Sequence, residues 1–303
     1  MSIDPSGTQY EIAAGEHRVT LVEVGGGIRG YTVGGRPLLD GYDLGERCTG
    51  ARGLPLIPWP NRLADGAYTF DGTDYQVPLT EPDKHNAIHG FLRWRNWTAR
   101  EQAADRVVLG TVLHPQMGYP FALDVAVDYT VSGAGLRVST TARNVGDRRC
   151  PYAAGQHPYL TVGTEHVDPA TLQFVAGRWL PTDDRGLPTG SEPVEGSAYD
   201  FRAARTIGGQ EIDYTFTDLA RDGDGLAWVR LAGPDGRRVE VWLDESYRFV
   251  EIYTAHTQPP PQWRRGLGVE PMTCAPNAFA SGDGLIRLEP GESATTSWGI
   301  RPG

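Results

Sequence analysis

The stretch from Gly53 to Gly90 reads GLPLIPWPNRLADGAYTFDGTDYQVPLTEPDKHNAIHG, and it decides how the rest of the chain is interpreted. Two runs with alternating side chains, Ala67 to Phe70 and Asp74 to Val77, flank the dipeptide Asp71-Gly72. An Asp-Gly pair between alternating runs is the strongest short signal for a β-hairpin. The stretch therefore predicts a hairpin with polar clusters on both sides of it.

The polar clusters of this stretch are predicted to meet. Three prolines just before Asn61-Arg62 interrupt any strand ladder, so these two residues are expected on a stiff loop at a sheet margin. The hairpin then turns Arg62 and His89 back toward one place. Since binding groups concentrate on loops held by a rigid sheet, the stretch predicts one wall of a pocket.

Short strands separated by turn signals continue on both sides of this stretch. Apolar residues fall at every second position in several of these runs, which is the period of a strand with one buried face. The predicted strands are His17 to Val24, Ile28 to Val33, Arg36 to Leu39, Arg106 to Leu113, Leu123 to Val131, Leu136 to Arg143, Val229 to Ala232, Arg237 to Leu243, Arg248 to Thr254 and Ser293 to Arg301. Helical periodicity is weak, and only short pieces, such as the region Gly209 to Leu219, are expected to be helical. The pattern predicts an all-β chain folded as a large antiparallel sandwich.

Length and composition favour one large domain. A chain of 303 residues has room for two average domains, but its 39 glycines and 23 prolines are spread evenly and no stretch resembles a linker. We therefore expect a single domain over residues 1–303. The beginning of the chain lacks a basic, apolar leader, and no run of eighteen apolar residues occurs, so a soluble, cytoplasmic protein without membrane contact is expected.

Charge and reactive side chains exclude several classes of function. A net charge of −10, with basic residues only in pairs, argues against nucleic-acid binding. Lys84 is the single lysine, which disfavours Schiff-base chemistry. The three cysteines, Cys48, Cys150 and Cys274, have no close pair, so buried reduced thiols are expected in place of a disulfide framework or a zinc ribbon.

Three further segments place a titratable residue among small or apolar neighbours. They are AGQHPY around His157, EIDYTF around Asp213 and GVEPMT around Glu270. A carboxylate and a histidine whose pKa values are drawn toward neutrality could perform general acid and base chemistry on one small substrate. The alternative is that each is a satisfied structural group. His85 and His89 share the i, i+4 spacing of metal ligands, but that spacing needs a helix and these lie in a loop.

Taken together, the motifs resemble the aldose 1-epimerase (galactose mutarotase) family over nearly the whole chain. The motifs that carry the resemblance are PNRLADGAYTFDG at 60–72, NAIHG at 86–90, GQHPYL at 155–160, WLPTDDRGLPTG at 179–190, EIDYTF at 211–216, VEPMTCAPNAF at 269–279 and LEPGES at 288–293. The resemblance implies that the fold is a large antiparallel β supersandwich. It also implies an enzyme that interconverts the α and β anomers of a free aldohexopyranose without cofactor or metal. The implied partner is a small sugar, and the implied assembly is a monomer or a homodimer.

The resemblance also implies roles for individual residues. Glu270 matches the general base and His157 the general acid. The implied sugar-binding residues are Asn61, Arg62, His89, Asp213 and Glu251. Which of His89 and His157 protonates the ring oxygen stays open, and tryptophans such as Trp59, Trp94 or Trp97 are candidates to stack on a sugar face.

Two features separate the chain from the galactose-type members. Glu251 stands where those members carry glutamine, and motifs such as LPLIPWPNR resemble a bacterial branch of sulfoquinovose mutarotase-like proteins. An anionic sugar, sulfoquinovose or a hexose 6-phosphate, is therefore an alternative substrate, with Arg62, Arg93 or Arg95 as its cationic partner. A third hypothesis is a non-catalytic sugar-binding module on the same fold.

Overall fold

The computed structural model describes residues 3–303, whose regular secondary structure is almost entirely antiparallel β-strand. In chain order the strands are β1 Gln9–Ala14, β2 His17–Val22, β3 Ile28–Val33, β4 Arg36–Pro37, β5 Pro55–Leu56, β6 Arg62–Ala64, β7 Ala67–Phe70, β8 Thr73–Gln76, β9 Asn86–Ile88, β10 Thr98–Gln102, β11 Arg106–Leu113, β12 Leu123–Ser132, β13 Gly135–Asn144, β14 Cys150–Tyr152, β15 Gly155–Gln156, β16 Tyr159–Leu160, β17 Thr171–Phe174, β18 Ala176–Leu180, β19 Glu192–Pro193, β20 Arg205–Thr206, β21 Asp213–Leu219, β22 Ala227–Ala232, β23 Arg238–Leu243, β24 Phe249–Tyr253, β25 Leu267–Met272, β26 Ile286–Leu288 and β27 Ser293–Pro302. Within the described residues the helical pieces are two 3-10 turns, Pro82–Lys84 and Leu92–Trp94, and one short α-helix, α1 Ala278–Ser281.

Two large sheets share one hydrophobic core. The nine-stranded sheet has the order β10-β11-β12-β13-β27-β23-β22-β17-β20, and the eight-stranded sheet follows β19-β18-β21-β24-β25-β15-β5, with β16 beside β25. Alternate residues of β12, such as Val125 and Val127, are fully buried and belong to the same core cluster as Ile252 and Val269 of the eight-stranded sheet. The predicted antiparallel β supersandwich is therefore confirmed.

The eight-stranded sheet carries polar residues on the face opposite to this core. In its register Thr215 lies opposite Glu251, and Glu251 lies opposite Glu270. Asp213 is two residues before Thr215 on β21, so it projects from the same face. One face of the sheet thus packs in the core, while the other gathers three carboxyl groups.

The predicted hairpin is confirmed, with its second strand at Thr73–Gln76 instead of Asp74 to Val77. Asp71 and Gly72 both have positive φ, 50° and 74°, as a type I′ turn requires. The flanking strands β6 and β9 pair Arg62 with Ile88, which brings the loop before β6 beside His89. The polar clusters therefore meet as the sequence predicts.

The region Gly209 to Leu219 is not helical, and that expectation is wrong. Asp213–Leu219 forms strand β21, with Thr215 and Phe216 buried. Its sequence, DYTFTDL, is rich in aromatic and β-branched residues, which fit the pleated surface of a sheet better than a helix.

The cysteines lie where the sequence predicts. Cys48, Cys150 and Cys274 are free and buried. Burial raises the pKa of the Cys48 thiol to about 11, which keeps it protonated and unreactive at neutral pH. None of the helices among residues 3–303 has the length and apolar character needed to cross a bilayer.

Candidate active site

A cavity of about 210 Å³ opens on the polar face of the eight-stranded sheet. It is lined by Gly50, Asn61, Arg62, Glu81, Ile88, His89, Arg93, His157, Tyr159, Asp213, Tyr253, Thr257, Gln258 and Glu270. A larger hollow of about 910 Å³ lies around Asp40 and Arg265, but neither Glu270 nor His157 lines it. Because Glu270 and His157, two buried groups with strongly shifted pKa values, converge in the smaller cavity of the two, that cavity is the candidate site.

Glu270 lies in the middle of strand β25, held between strands on both sides. β24 pairs with β25 through Glu251 and Glu270, and β15 and β16 pair with its other edge. The Glu270 side chain is buried. Its position is therefore set by a rigid sheet and not by a loop. This suits a group that must be held in a precise position relative to a substrate.

His157 is fixed by backbone hydrogen bonds to the segment that precedes β5. The Gly53 N–H donates to the His157 carbonyl at 2.8 Å, and the His157 N–H donates to the Leu54 carbonyl at 3.1 Å. These bonds place Nε2 of the buried imidazole 3.1 Å from Oε1 of Glu270. The two residues, far apart in sequence, thus form one acid–base pair.

Burial favours the neutral form of both members of this pair. It lowers the pKa of His157 to about 3, helped by the positive charges of Arg52 and Arg93. It also raises the pKa of Glu270 well above its usual range, helped by the negative charges of Glu251 and Asp213. Before a ligand binds, the proton that the pair shares is therefore favoured on Glu270 over His157. The expectation that both pKa values move toward neutrality holds for Glu270, whereas that of His157 moves away.

Each member of the pair also has one polar atom without a protein partner. Nδ1 of His157 and Oε2 of Glu270 are buried and accept or donate no hydrogen bond within residues 3–303. Buried polar atoms in native proteins are nearly always paired. Unpaired atoms on two adjacent groups at a cavity wall indicate a site built for a polar ligand.

His89 presents a neutral N–H to the cavity. Its Nδ1 accepts a hydrogen bond of 3.1 Å from the Asn61 backbone N–H, so the ring proton must be on Nε2. Burial lowers the pKa of His89 well below its usual value, as does the neighbouring His157, whose ring centroid is 5.3 Å away. His89 is therefore a hydrogen-bond donor at neutral pH and not a cation.

Arg62 is held by carboxylates on both sides. Its Nε donates to Glu81 at 3.0 Å, and its Nη1 lies 3.7 Å from Asp213. Asn61 accepts a hydrogen bond from the Arg62 backbone N–H at 2.7 Å. Arg62, Asn61 and Asp213 all line the cavity, as the sequence predicts, and the Asp213 side chain is 30% exposed.

Glu251 lies elsewhere than expected. It is only 2% exposed, accepts a hydrogen bond from the Thr215 hydroxyl and is absent from the cavity wall. Burial and the negative charge of Asp213 raise its pKa well above the usual range. Glu251 therefore lies beside Glu270 on the adjacent strand, where it affects the charge of the site from outside the cavity wall.

The predicted tryptophans do not line the cavity. Trp59 packs edge-on against Phe91, Trp97 is fully buried in the core, and Trp94 is exposed. The aromatic side chains of the cavity wall are Tyr159 and Tyr253.

Sequence reasoning missed two kinds of site residue. Tyr159 lies two residues after His157 inside the GQHPYL motif, so the period of an extended chain could have identified it. Tyr253, Thr257 and Gln258 have no comparable local signal.

Three side chains of the cavity wall are close enough together to coordinate one metal ion. Each of His89, His157 and Glu270 offers one coordinating atom, and these three atoms lie within 4.8 Å of one another. His89 would contribute Nε2, since its Nδ1 is bonded to Asn61. The chain therefore has the ligand set of a two-histidine, one-carboxylate site, although its acid and base can act without a metal ion.

Comparison with known proteins gives a consistent result. The family model described as aldose 1-epimerase matches residues 8–301. The chain is 36% identical to the uncharacterized protein YihR of Escherichia coli K12, over 95% of this chain and 91% of that protein. It is 31% identical to the aldose 1-epimerase of the same strain, over 67% of this chain and 60% of that protein. A GalM/aldose epimerase homologue from C. elegans has a similar fold, with a TM-score of 0.88, 20% identity and 98% of both chains covered.

Proposed function

Since the chain belongs to the aldose 1-epimerase family, we propose that it interconverts the α and β anomers of a free aldohexopyranose. The reaction is an acid–base opening of the ring followed by reclosure. The observation that supports it best is the contact between Nε2 of His157 and Oε1 of Glu270, at 3.1 Å, on the wall of a small cavity. A ring opening of this kind needs a single proton donor and a single proton acceptor close together.

Ring opening begins with a proton transfer inside the pair. Hydroxyl groups of the sugar donate to Glu270 and stabilise its carboxylate, so the proton crosses to His157. Glu270 then takes the proton of the C1 hydroxyl. The bond between C1 and the ring oxygen breaks as the C1 carbonyl forms, and His157 gives its proton to the ring oxygen. The pair ends the step with its proton on Glu270, which is also the state favoured before the sugar binds.

Reclosure reverses both transfers. After rotation about the C1–C2 bond, the hydroxyl oxygen attacks the other face of the aldehyde, His157 takes the hydroxyl proton and Glu270 returns one to the new C1 oxygen. The Nε2–H of His89 donates to the sugar alongside His157, and Asp213 accepts from hydroxyl groups and fixes the ring.

The test is the rate of anomer exchange, measured at equilibrium by NMR exchange spectroscopy. Glucose, galactose, glucose 6-phosphate and sulfoquinovose are the substrates. We expect Glu270→Gln to lose about 10²- to 10⁴-fold in rate with the preferred sugar, because the base is removed. Glu240→Gln is the matched control: Glu240 is also buried, but it pairs with Arg230 and Arg301 on the nine-stranded sheet.

Two results would count against this function. A Glu270→Gln variant with a rate near that of the wild type would remove Glu270 from the mechanism. If the wild-type protein accelerates anomer exchange with none of the four sugars, the non-catalytic sugar-binding module is favoured instead.

A second candidate, an anionic sugar as substrate, is supported by Arg93. This arginine lines the cavity, its Nε is buried without a hydrogen-bond partner, and burial lowers its pKa. Among the described residues no carboxylate lies within ion-pair distance of it. Arg62 is already occupied by Glu81 and Asp213, and Arg95 donates to Gln116 away from the cavity. A phosphate or sulfonate on C6 would supply the missing partner of Arg93.

Substitution of Arg93 tests this candidate. Hydrogen bonds to a charged group contribute about 1.5–3 kcal/mol, so Arg93→Met is expected to lower the ratio of kcat/KM for anionic over neutral sugars at least tenfold. Arg95→Met removes a neighbouring surface arginine and is the matched control. An unchanged ratio in Arg93→Met would show that Arg93 does not bind an anionic group of the substrate, and would remove the support for this candidate.

A further inference from the structure

The larger hollow around Asp40 and Arg265, here called the outer hollow, has no part in the ring-opening steps. Its volume is about 910 Å³, whereas the acid–base cavity, the one lined by Glu270 and His157, has about 210 Å³. Ligand pockets enclose roughly 300–1,000 Å³, so the outer hollow has the size of a ligand site and the acid–base cavity is smaller than that range. A sugar ring in the acid–base cavity therefore leaves any further ring of the same molecule outside that cavity.

The outer hollow and the acid–base cavity share a wall. Gly50 lines the acid–base cavity, and Thr49, whose Cα lies about 3.8 Å away along the chain, lines the outer hollow. The guanidinium carbon of Arg52, which lines the outer hollow, lies 4.1 Å from the ring centroid of Tyr159, which lines the acid–base cavity. Residues in direct contact thus line different cavities, so the two cavities are neighbours.

Two exposed tryptophans lie beside the outer hollow. Trp94 is 47% exposed, and its ring centroid is 5.9 Å from the guanidinium carbon of Arg47, a residue of the hollow's wall. Trp263 is 41% exposed, and its ring meets that of His166, in the same wall, edge-on with 5.2 Å between the centroids. All other Phe, Tyr and Trp side chains of residues 3–303 are buried or half-buried. Since an indole has an apolar face and a polar N–H, the two exposed indoles beside one hollow indicate a binding surface.

The charged groups of the outer hollow balance one another. Its wall contains four arginines and four carboxylates, which are Arg29, Arg47, Arg52, Arg265, Asp40, Asp43, Glu46 and Glu165. Four positive and four negative charges sum to zero, so a neutral ligand suits the wall better than an ion. Arg47, Asp43 and Glu165 form no ion pair within residues 3–303, which leaves them free to donate to and accept from hydroxyl groups.

Two wall residues also have a buried nitrogen without a partner. Nη2 of Arg52 and Nδ1 of His166 make no hydrogen bond to any group of residues 3–303. Arg52 is only 3% exposed, and its other terminal nitrogen, Nη1, donates to Asp40 at 2.8 Å. Buried polar atoms of native proteins are nearly always paired. Unpaired nitrogens in this wall therefore indicate a hollow that takes a polar ligand.

We propose that the outer hollow is a second carbohydrate subsite, which binds a neutral pyranose ring through the indoles of Trp94 and Trp263 and the charged groups of its wall. Because the two cavities are neighbours, this ring is the next unit of a sugar whose reducing end lies at Glu270 and His157. The substrate class is then a reducing disaccharide or a longer oligosaccharide. The assignment of the ring to the substrate rests on the proposed function, whereas the binding of the ring does not.

NMR of the indole N–H signals tests the binding without any turnover. The two signals are assigned by their absence in Trp94→Phe and Trp263→Phe. Wild-type protein is then titrated with methyl β-maltoside, methyl β-cellobioside and methyl β-glucoside, whose rings cannot open. We expect at least one of the two disaccharides to shift both signals, and to do so at lower concentration than methyl β-glucoside.

The kinetics of anomer exchange test whether the second ring belongs to the substrate. The measured quantity is the ratio of kcat/KM for maltose or cellobiose to kcat/KM for glucose. We expect Trp94→Ala and Trp263→Ala each to lower this ratio about three- to tenfold for the preferred disaccharide, mainly through KM, because each removes one aromatic stacking surface.

Trp228→Ala is the matched control. The Trp228 indole also lies beside two arginines, Arg230 at 5.4 Å and Arg301 at 4.2 Å, but it belongs to the nine-stranded sheet. We expect Trp228→Ala to change neither the ratio of kcat/KM nor the shifts that the disaccharide causes at Trp94 and Trp263.

The outcomes separate this inference from the proposed function. If neither disaccharide shifts the two indole signals, the subsite is overturned, even where the protein exchanges the anomers of glucose. If no sugar undergoes anomer exchange, the proposed function fails, while the indole titration still decides the subsite.

Three further outcomes decide what occupies the hollow. Shifts that methyl β-glucoside causes as readily as the disaccharides would support the subsite but overturn the linked second ring. A ratio of kcat/KM that stays unchanged in both Trp94→Ala and Trp263→Ala would overturn the linked ring as well. Indole signals that respond to protein concentration and to none of the sugars would show a contact between copies of the chain and overturn the proposal.

Discussion

Glu251 and Glu270 lie opposite each other on adjacent strands, with Asp213 nearby and Arg62 as the neighbouring cation. Three carboxyl groups in a largely buried place cannot all be charged, since each unpaired charge would be repelled by the others. The least exposed of them, Glu251, therefore favours its protonated form, as Glu270 does before a sugar binds. At this scale the site is defined as much by where protons reside as by which residues are present.

This assignment predicts how stability depends on pH. The pKa of Glu251 is raised in the folded protein, so its contribution to stability is complete below the unfolded pKa, near 4.5, and is lost as pH rises toward the folded pKa. Glu251→Gln keeps a neutral side chain at every pH. We expect the variant to gain stability over the wild type as pH increases above about 5, by up to about 1.4 kcal/mol per pH unit.

Urea unfolding of both proteins between pH 5 and 9 measures this difference. Glu11→Gln, which changes an exposed glutamate on β1, is the control and is expected to follow the wild-type curve. Parallel curves for the wild type and Glu251→Gln would show that Glu251 is ionised in the folded protein.

The individual residues of the site were predictable to different degrees. Asn61, Arg62, His89, His157, Asp213 and Glu270 were identified by their motifs, and all six line one cavity. The contact of Arg52 with Tyr159, 4.1 Å from the guanidinium carbon to the ring centroid, could not be found in this way, because it joins segments more than a hundred positions apart and leaves no local pattern. The lowered pKa of His157 has the same origin, since it depends on burial by the folded chain.

At the scale of elements, the site depends on one close approach of two backbones. Gly90, next to His89, has φ +61°, and a Cβ there would lie 2.1 Å from the Ile57 carbonyl oxygen. That carbonyl accepts hydrogen bonds from the N–H groups of Phe91 and Leu92. The contact locks the end of β9 against the proline-rich loop, so that His89 faces the cavity.

We expect Gly90→Ala to destabilise the protein by roughly 3 kcal/mol or more, because the methyl group meets backbone that cannot move aside. Gly72→Ala is the control: its φ is +74°, but a Cβ there meets nothing within 4 Å. The control is expected to cost only the conformational penalty of about 1–2 kcal/mol. Equal free energies of unfolding for the two variants would show that the contact beside His89 can relax.

Strands were predicted well where one face is buried and the other is exposed to solvent. β12 and β13 alternate clearly and were identified close to their observed bounds. β25 was not predicted as a strand, because all six of its residues are buried and no alternation remains. β21 was assigned to a helical region because its short run has no strict period. The error in each case reflects burial that only tertiary structure determines.

At the scale of the whole molecule, sheet order creates the site. Strands β21, β24, β25 and β15 are neighbours in space, although they come from distant parts of the chain. The nine-stranded sheet covers their opposite face and shares its hydrophobic core with them. The polar face that carries the candidate site is therefore supported across its whole width, and substitutions in the core are expected to affect stability before they affect the geometry of the pair.

The adjacency of Glu270 and His157 has one more consequence for the proposed reaction. The proton circulates only between these two side chains and the sugar, so a complete turnover releases no acid, needs no redox partner and leaves the elemental makeup of the solution unchanged. A pH electrode and a spectrophotometer would both record a flat line while the protein worked. The optical rotation of a fresh solution of one anomer would reach its equilibrium value sooner than it does in buffer alone, and that change is the measurable sign of the reaction.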